Sequence, residues 1–360
     1  MKLAWLLAFA CLPGLALAQS PPKPTRGRAP VRVEPPEIRG MALPLHSRDP
    51  AHDYGAALKE LPALGVNTVC VLVHFYQPNG NSYGPARHPL KTPSDRVVLR
   101  VLRAARKLKL DVALLPIVLL EKPGNDDWRG NLRPPDARGR VRTHKDYGKP
   151  NWARWFRSYR REIVHFARLA QEGGASLFSV GSELSSTETQ AREWKQVIRA
   201  VRDVFAGELT YSANWDHYQR VPFWKDLDYI GLSAYYELTR SKTPTQKELN
   251  RAWVKVRDRI LAWRKKRKLT RRPLLFTELG YPSLDGCAKQ PWDYTLKTPI
   301  DLREQRQCYQ AFAHAWRGRP ELVGVFAYEW WGKGGPKDRG YTPRGKPALE
   351  VLRRFYGAKR

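Results

Sequence analysis

Eight short apolar runs, spaced by segments of helical period and polar loops, constrain this chain more than any other feature of it. The runs cover residues 38–43, 67–75, 111–118, 176–180, 209–213, 229–234, 273–277 and 322–328. Continuous apolar runs of this length suit strands buried on both faces, as in parallel sheets. Between them, Val98, Leu102, Ala105 and Leu108 share one helical face, as do Trp152, Trp155, Tyr159, Ile163 and Phe166. Leu249, Trp253, Val256, Ile260 and Trp263 step by four and three, as a helix packed on a sheet should. No glycine-rich phosphate loop follows the first run, which argues against an open doubly wound sheet. Eight alternations in one unbroken block predict an α/β fold, a single (β/α)8 barrel, over residues 37–360.

The first residues are not read as fold. Lys2, the apolar stretch 3–17 and the small-residue site Ala16-Leu17-Ala18 have the pattern of a signal peptide, residues 1–18. Bulky Phe9 speaks against a lipoprotein reading through Cys11. Residues 19–36 are rich in Pro and Arg with few large apolar side chains, and are expected to be a flexible leader. No later segment approaches the roughly 20 apolar residues of a membrane span. The expected location is therefore secreted, periplasmic or at the cell surface. There Cys287 and Cys308 can form a disulfide, tying a long loop to the helix after it, while Cys70 reads as a buried strand thiol. The histidines are scattered and no metal-binding spacing occurs, so neither metal nor organic cofactor is expected.

In a (β/α)8 barrel, sites sit at the C-terminal ends of the strands. Two acids stand there: Glu183 after the fourth run and Glu278 at the end of the seventh. An acid at the end of an apolar strand is costly to bury unless hydrogen-bonded or used chemically. The fourth and seventh strands lie on opposed arcs, so these carboxyls can face one another across the mouth. Such a pair suits cleavage of a sugar bond, one carboxyl donating a proton and the other attacking the anomeric carbon. Glu329, at the end of the eighth run, is the internal rival for nucleophile. Trp330 and Trp331 beside it, and Asn214 and Trp215 after the fifth run, are candidate sugar contacts, with one of the two adjacent tryptophans expected in the core. Asp127, Trp128 and Arg129 can contact neighbouring sugar units or pair within their own loop. His74 reads either as a substrate contact or as a satisfied barrel histidine.

The net charge of +30 is spread along the chain, as on a generic solvated surface. It equally suits electrostatic attachment to an anionic polymer or envelope. Nucleic acid is disfavoured, because the aromatics do not interleave with the densest basic run, residues 264–272. That run precedes the seventh strand and belongs to the face away from the site. Nothing in the sequence fixes an oligomeric state.

Five ordered segments carry a family resemblance: KPGNDDWRG at 122–130, WFRSY at 155–159, FSVGSEL at 178–184, DYIGLSAY at 228–235 and FTELGY at 276–281. Together they make the chain resemble glycoside hydrolase family 113, within a clan of retaining barrels, from about residue 39 to 355. The resemblance implies a double displacement on β-1,4-mannan or manno-oligosaccharides, with Glu183 as acid/base and Glu278 as nucleophile. It implies carboxyls about 5–5.5 Å apart and a tyrosine, Tyr235, bonded to the nucleophile. Most of the clan places Asn before the acid/base, to contact the sugar 2-hydroxyl; this chain has Ser182 there. The same fold acting on an acidic glycan, or a non-catalytic glycan-binding barrel, are the alternative readings.

Overall fold

The computed structural model describes residues 37–125 and 127–357. The expected signal peptide and leader lie outside the described residues. Eight parallel strands close into a barrel in chain order. They are β1 Ile38–Pro44, β2 Thr68–Gln77, β3 Asp111–Leu120 and β4 Leu177–Ser182, followed by β5 Glu208–Asn214, β6 Ile230–Ser233, β7 Leu274–Leu279 and β8 Leu322–Ala327. The strands fall on the eight apolar runs. Helices α1 Tyr54–Glu60, α2 Asp95–Lys107, α3 Trp152–Glu172, α4 Ala191–Arg202, α5 Gln246–Lys266, α6 Leu302–Trp316 and α7 Pro347–Phe355 surround them. Between β5 and β6 the crossover is only a 3-10 turn, Trp224–Asp226.

Local chemistry accounts for these elements. Thr245 and Glu248 form a reciprocal capping box at the start of α5. Asn151 and Asp301 cap α3 and α6 through their side chains. Strand residues that point inward, such as Ala42, Leu72, Leu115 and Phe326, fill the barrel; those that point outward meet the helices in a larger core rich in Trp and Phe. The predicted helical stripes are the buried ones, with Val98, Leu102 and Ala105 against the sheet from α2 and Trp155, Tyr159, Ile163 and Phe166 from α3. Cys70 is a buried free thiol, as expected.

The ladder is irregular where the site begins. Register shifts occur between Ser179 and Ser182, between Leu232 and Ser233, and between Phe276 and Leu279. Such irregularities bend a strand end and re-aim the side chains beyond it. Here they lie at the ends of β4, β6 and β7, which carry Glu183, Ser233 and Glu278.

Candidate active site

Glu183 is held in a left-handed backbone conformation, φ 52°. This region is costly for any residue with a Cβ and persists only where neighbours enforce it. The enforcement is visible on both sides of it. The Glu183 amide donates to the Ser212 carbonyl at 2.8 Å, and the Leu184 amide donates to the Tyr211 hydroxyl at 2.9 Å. Tyr211 in turn donates to Glu188 at 2.8 Å, a carboxyl that burial pushes up to about 8 despite that bond. Two residues upstream, any Cβ on Gly181 would lie 2.8 Å from the Tyr159 hydroxyl and 2.9 Å from Trp194. Glycine is therefore required for the strand to pass beneath α3 and α4.

The Glu183 carboxyl accepts from Arg129 Nη2 at 2.5 Å and from the Ser233 hydroxyl. Glu278 lies within β7; its Oε2 accepts from Tyr235 at 2.8 Å, and its Oε1 has no hydrogen-bond partner among the described residues. Burial, and then the facing charge of Glu183, raise Glu278 from its ordinary value to about 7, while Arg129 and the Tyr235 hydroxyl oppose the rise. Burial alone would depress Arg129, but the charges of Glu183 and Glu278 outweigh it and keep the guanidinium protonated. Glu278 thus keeps its proton up to near neutrality.

Tyr235→Phe removes a donor that favours the Glu278 anion. Its expected effect is a 10- to 100-fold fall in kcat and an alkaline limb of the pH–rate profile moved to higher pH, because the pair then keeps its proton longer. Steady-state rates measured from pH 4 to 9 check this.

Glu183 and Glu278 both line one cavity of about 920 Å³ at the mouth of the barrel. Its other charged lining groups are Asp216, Glu329 and Arg129, so four carboxyls face one guanidinium inside a protein of net charge +30. Trp128, Trp215, Trp292 and Tyr294 add aromatic surface. Trp215 and Trp292 stack, with centroids 5.8 Å apart and planes 15° from parallel. Trp292 and Tyr294 are exposed. Aromatic faces of this kind stack on the apolar faces of sugars. His74 also lines the cavity; it is buried, stacked on His46, and pushed down by burial to about 3, so it is neutral at ordinary pH.

The cavity thus gathers Trp128, Arg129, Asn214, Trp215, Tyr235 and His74 with the two glutamates, but not every residue expected there. Asp127 is outside it, bracing its own loop by accepting from Gly80 and Gly124 and pairing with Arg142. Ser182 is buried, does not line the cavity, and its hydroxyl has no partner among the described residues. Trp330 belongs to the core, donating to Glu60 beneath the Arg344 guanidinium. Trp331 packs edge-on against His46 rather than on the cavity wall. Cys287 and Cys308 are neighbouring buried thiols, free in this structure. Glu329 does line the cavity, 3.7 Å from His46, while the tyrosine bond of Tyr235 goes to Glu278.

Sequence reasoning missed Ser233, His46, Asp216, Trp292, Tyr294, Tyr328 and Tyr341. Ser233 was within reach, near the end of the predicted strand 229–234 and two before Tyr235. Trp292 and Tyr294 were not, because the segment between β7 and α6 has no period that aims a side chain.

A closed eight-stranded barrel whose mouth presents two buried glutamates, from the ends of β4 and β7, in an aromatic cavity defines a glycosidase of the (β/α)8 class. The sequence matches Glycoside Hydrolase Family 113 over residues 50–346, and the chain belongs to that family. Among solved structures it is similar to a complex of a family 113 β-1,4-mannanase, with 25% identity, a TM-score of 0.76, and coverage of 90% of this chain and 100% of that one. It is also similar to the family 113 β-mannanase AaManA from Alicyclobacillus acidocaldarius in complex with ManMIm, with 28% identity, a TM-score of 0.75, and coverage of 90% and 98%. A β-glucuronidase from Faecalibacterium prausnitzii shares the fold at 13% identity, with a TM-score of 0.57 over 91% of this chain and 50% of that one. No curated protein matches the sequence.

Proposed function

We propose that the protein is an exported, endo-acting β-1,4-mannanase that works by retention, with Glu183 as acid/base and Glu278 as nucleophile. The observation that carries this reading is the asymmetry of the pair. Glu278 keeps one oxygen bare while Tyr235 orients the other, which suits an atom that must reach an anomeric carbon. Glu183 then protonates the departing oxygen and, in the second step, takes a proton from the water that releases the sugar. The similarity to β-1,4-mannanases over nine-tenths of the chain supports the substrate.

The charge of the cavity favours a neutral sugar over an acidic one. A uronate in it would meet Glu183, Asp216 and Glu329 as well as Glu278, with the one guanidinium already committed to Glu183 and Glu278 itself raised to about 7 by burial and such crowding. Like charges at such range are repelled by several kcal/mol. The surplus of positive charge lies elsewhere on the molecule, so attachment to an anionic polymer is a matter for its outer surface. Sugar release from β-mannan, xylan, cellulose and an acidic glycan tests the reading. Release from mannan at least tenfold above the others is the expected result; release from the acidic polymer alone would replace the substrate. The no-metal, no-cofactor expectation fits this chemistry, since the carboxyls supply both proton and nucleophile. A fully active enzyme after chelation is the corresponding outcome.

A further inference from the structure

We propose that Cys287 and Cys308 become a disulfide in the exported protein, and that this bond fixes the loop carrying the aromatic wall of the cavity. Both residues are completely buried, and the two thiols lie close enough to perturb one another's titration. The backbone around them is tied together by one carboxyl. Glu304 lies one turn before Cys308 on α6, and its carboxyl accepts from the amides of Gly286 and Ala288, which flank Cys287 on either side. Asp301 caps the same helix through the Glu304 amide. The turn and the helix are thus docked through the two amides that flank Cys287, one turn from Cys308.

Beyond Ala288 the chain runs out to Trp292 and Tyr294 and returns at the Leu284–Ile300 bridge. Its outer part is pinned by single bonds. The Tyr341 hydroxyl donates to the Pro291 carbonyl, Arg339 donates to the carbonyls of Leu296 and Thr298, and the Leu238 amide donates to the Ala288 carbonyl. A covalent tie at the base restricts where Trp292 can sit relative to Trp215, and hence how a long glycan lies on the pair.

The oxidation requires a disulfide donor, which an oxidising compartment supplies as an oxidised dithiol or as oxidised glutathione. The thiolate of one cysteine attacks the donor disulfide to give a mixed disulfide and release one donor thiolate. The second cysteine attacks the mixed disulfide, forms the Cys287–Cys308 bond and releases the other donor thiolate. Two protons leave the protein, and the donor gains two electrons. Burial pushes both thiols up in the packed protein, which makes them unreactive there. The bond is therefore made while the loop is still open, during folding.

The covalent part of the proposal is independent of substrate, whereas its effect on binding rests on the mannanase reading. Mature protein is refolded with oxidised and reduced glutathione, a route that does not depend on export, and compared with protein secreted into an oxidising compartment. Each sample is denatured, alkylated and mapped by mass spectrometry. Alkylation of Cys70 alone, with a peptide linking Cys287 to Cys308, is the expected pattern; alkylation of all three overturns the bond. The Cys287→Ser/Cys308→Ser variant should melt about 5 °C lower, since the bond closes a ring of roughly 20 residues. Its KM for β-mannan should rise three- to tenfold, with kcat on a short aryl β-mannoside unchanged. An unchanged KM overturns the loop's role even if the bond is present. A mapped bond in a wild-type protein that releases nothing from mannan counts against the substrate reading and leaves the bond standing.

Discussion

Replacing Glu278 by Gln is expected to lower kcat on β-mannan by at least about 10,000-fold and, at pH 8, to raise the melting temperature. The loss follows from chemistry, because an amide oxygen does not attack an anomeric carbon as a carboxylate does. The gain follows from linkage. Glu278 titrates near 7 in the folded protein against 4.5 for an unstrained glutamate. Between those values the folded form holds a proton that the unfolded form releases. Stability from this group is thus fully present below about pH 4.5, falls as pH rises, and is lost above about 7. The difference amounts to about 3 kcal/mol at most, or a few degrees in a domain of this size. Gln carries no charge and escapes the penalty. Calorimetry of both proteins at pH 4.5 and pH 8 should show melting points that converge at the lower pH and separate at the higher. A Gln variant that is inactive but no more stable at pH 8 would mean that Glu278 is not a strained buried carboxylate.

Replacing Glu183 by Ala should separate substrates by their leaving groups. On mannan, where the departing sugar oxygen needs a proton, kcat/KM should fall about 1,000-fold or more. On a dinitrophenyl β-mannoside, whose leaving group departs without help, kcat/KM should stay within about tenfold of wild type. The environment of Glu183 makes this the informative variant. Arg129 and Ser233 both donate to its carboxyl, while Glu278, raised to about 7, keeps a proton to near neutrality. For Glu183 to act as the acid, that proton must pass to it once a sugar covers Glu278. The opposite allocation, with Glu278 as acid, draws its support from the same observation. Equal losses on both substrates for Glu183→Ala, with Glu278→Ala sparing the activated one, would establish that reversed order.

The barrel was legible because it rests on periodicity. Eight buried strands need continuous apolar runs, and these survive in the sequence whatever the loops do. The pair of glutamates at the barrel mouth was legible for a related reason: a carboxyl directly after such a run has few structural uses, and Glu183 and Glu278 both line the cavity. Tyr235 was implied by the family resemblance, at the end of the sixth run, and does bond Glu278. The misses are all matters of direction. Asp127, Trp128 and Arg129 are consecutive, yet the loop turns Asp127 back onto Gly80 and sends Arg129 to Glu183. Trp330 and Trp331 follow β8, but one points into the core and the other to the rim. No period governs such residues, so only tertiary contacts choose their side. The Tyr211–Glu188 brace behind Glu183 was equally invisible, since it joins a strand to a loop 23 residues away in the chain.

The most direct test of the central claim uses azide with the two alanine variants and an activated β-mannoside. Azide attacks from whichever face the missing carboxyl leaves open. Glu183→Ala should yield the β-mannosyl azide, because the covalent intermediate on Glu278 is intercepted from the side that water normally takes. Glu278→Ala should yield the α-mannosyl azide, because azide then occupies the place of the nucleophile. Proton NMR of the two products distinguishes the anomers. That pair of products is what the account predicts; the reverse pair would exchange the two roles, and rescue of neither variant would contradict a double displacement at these residues.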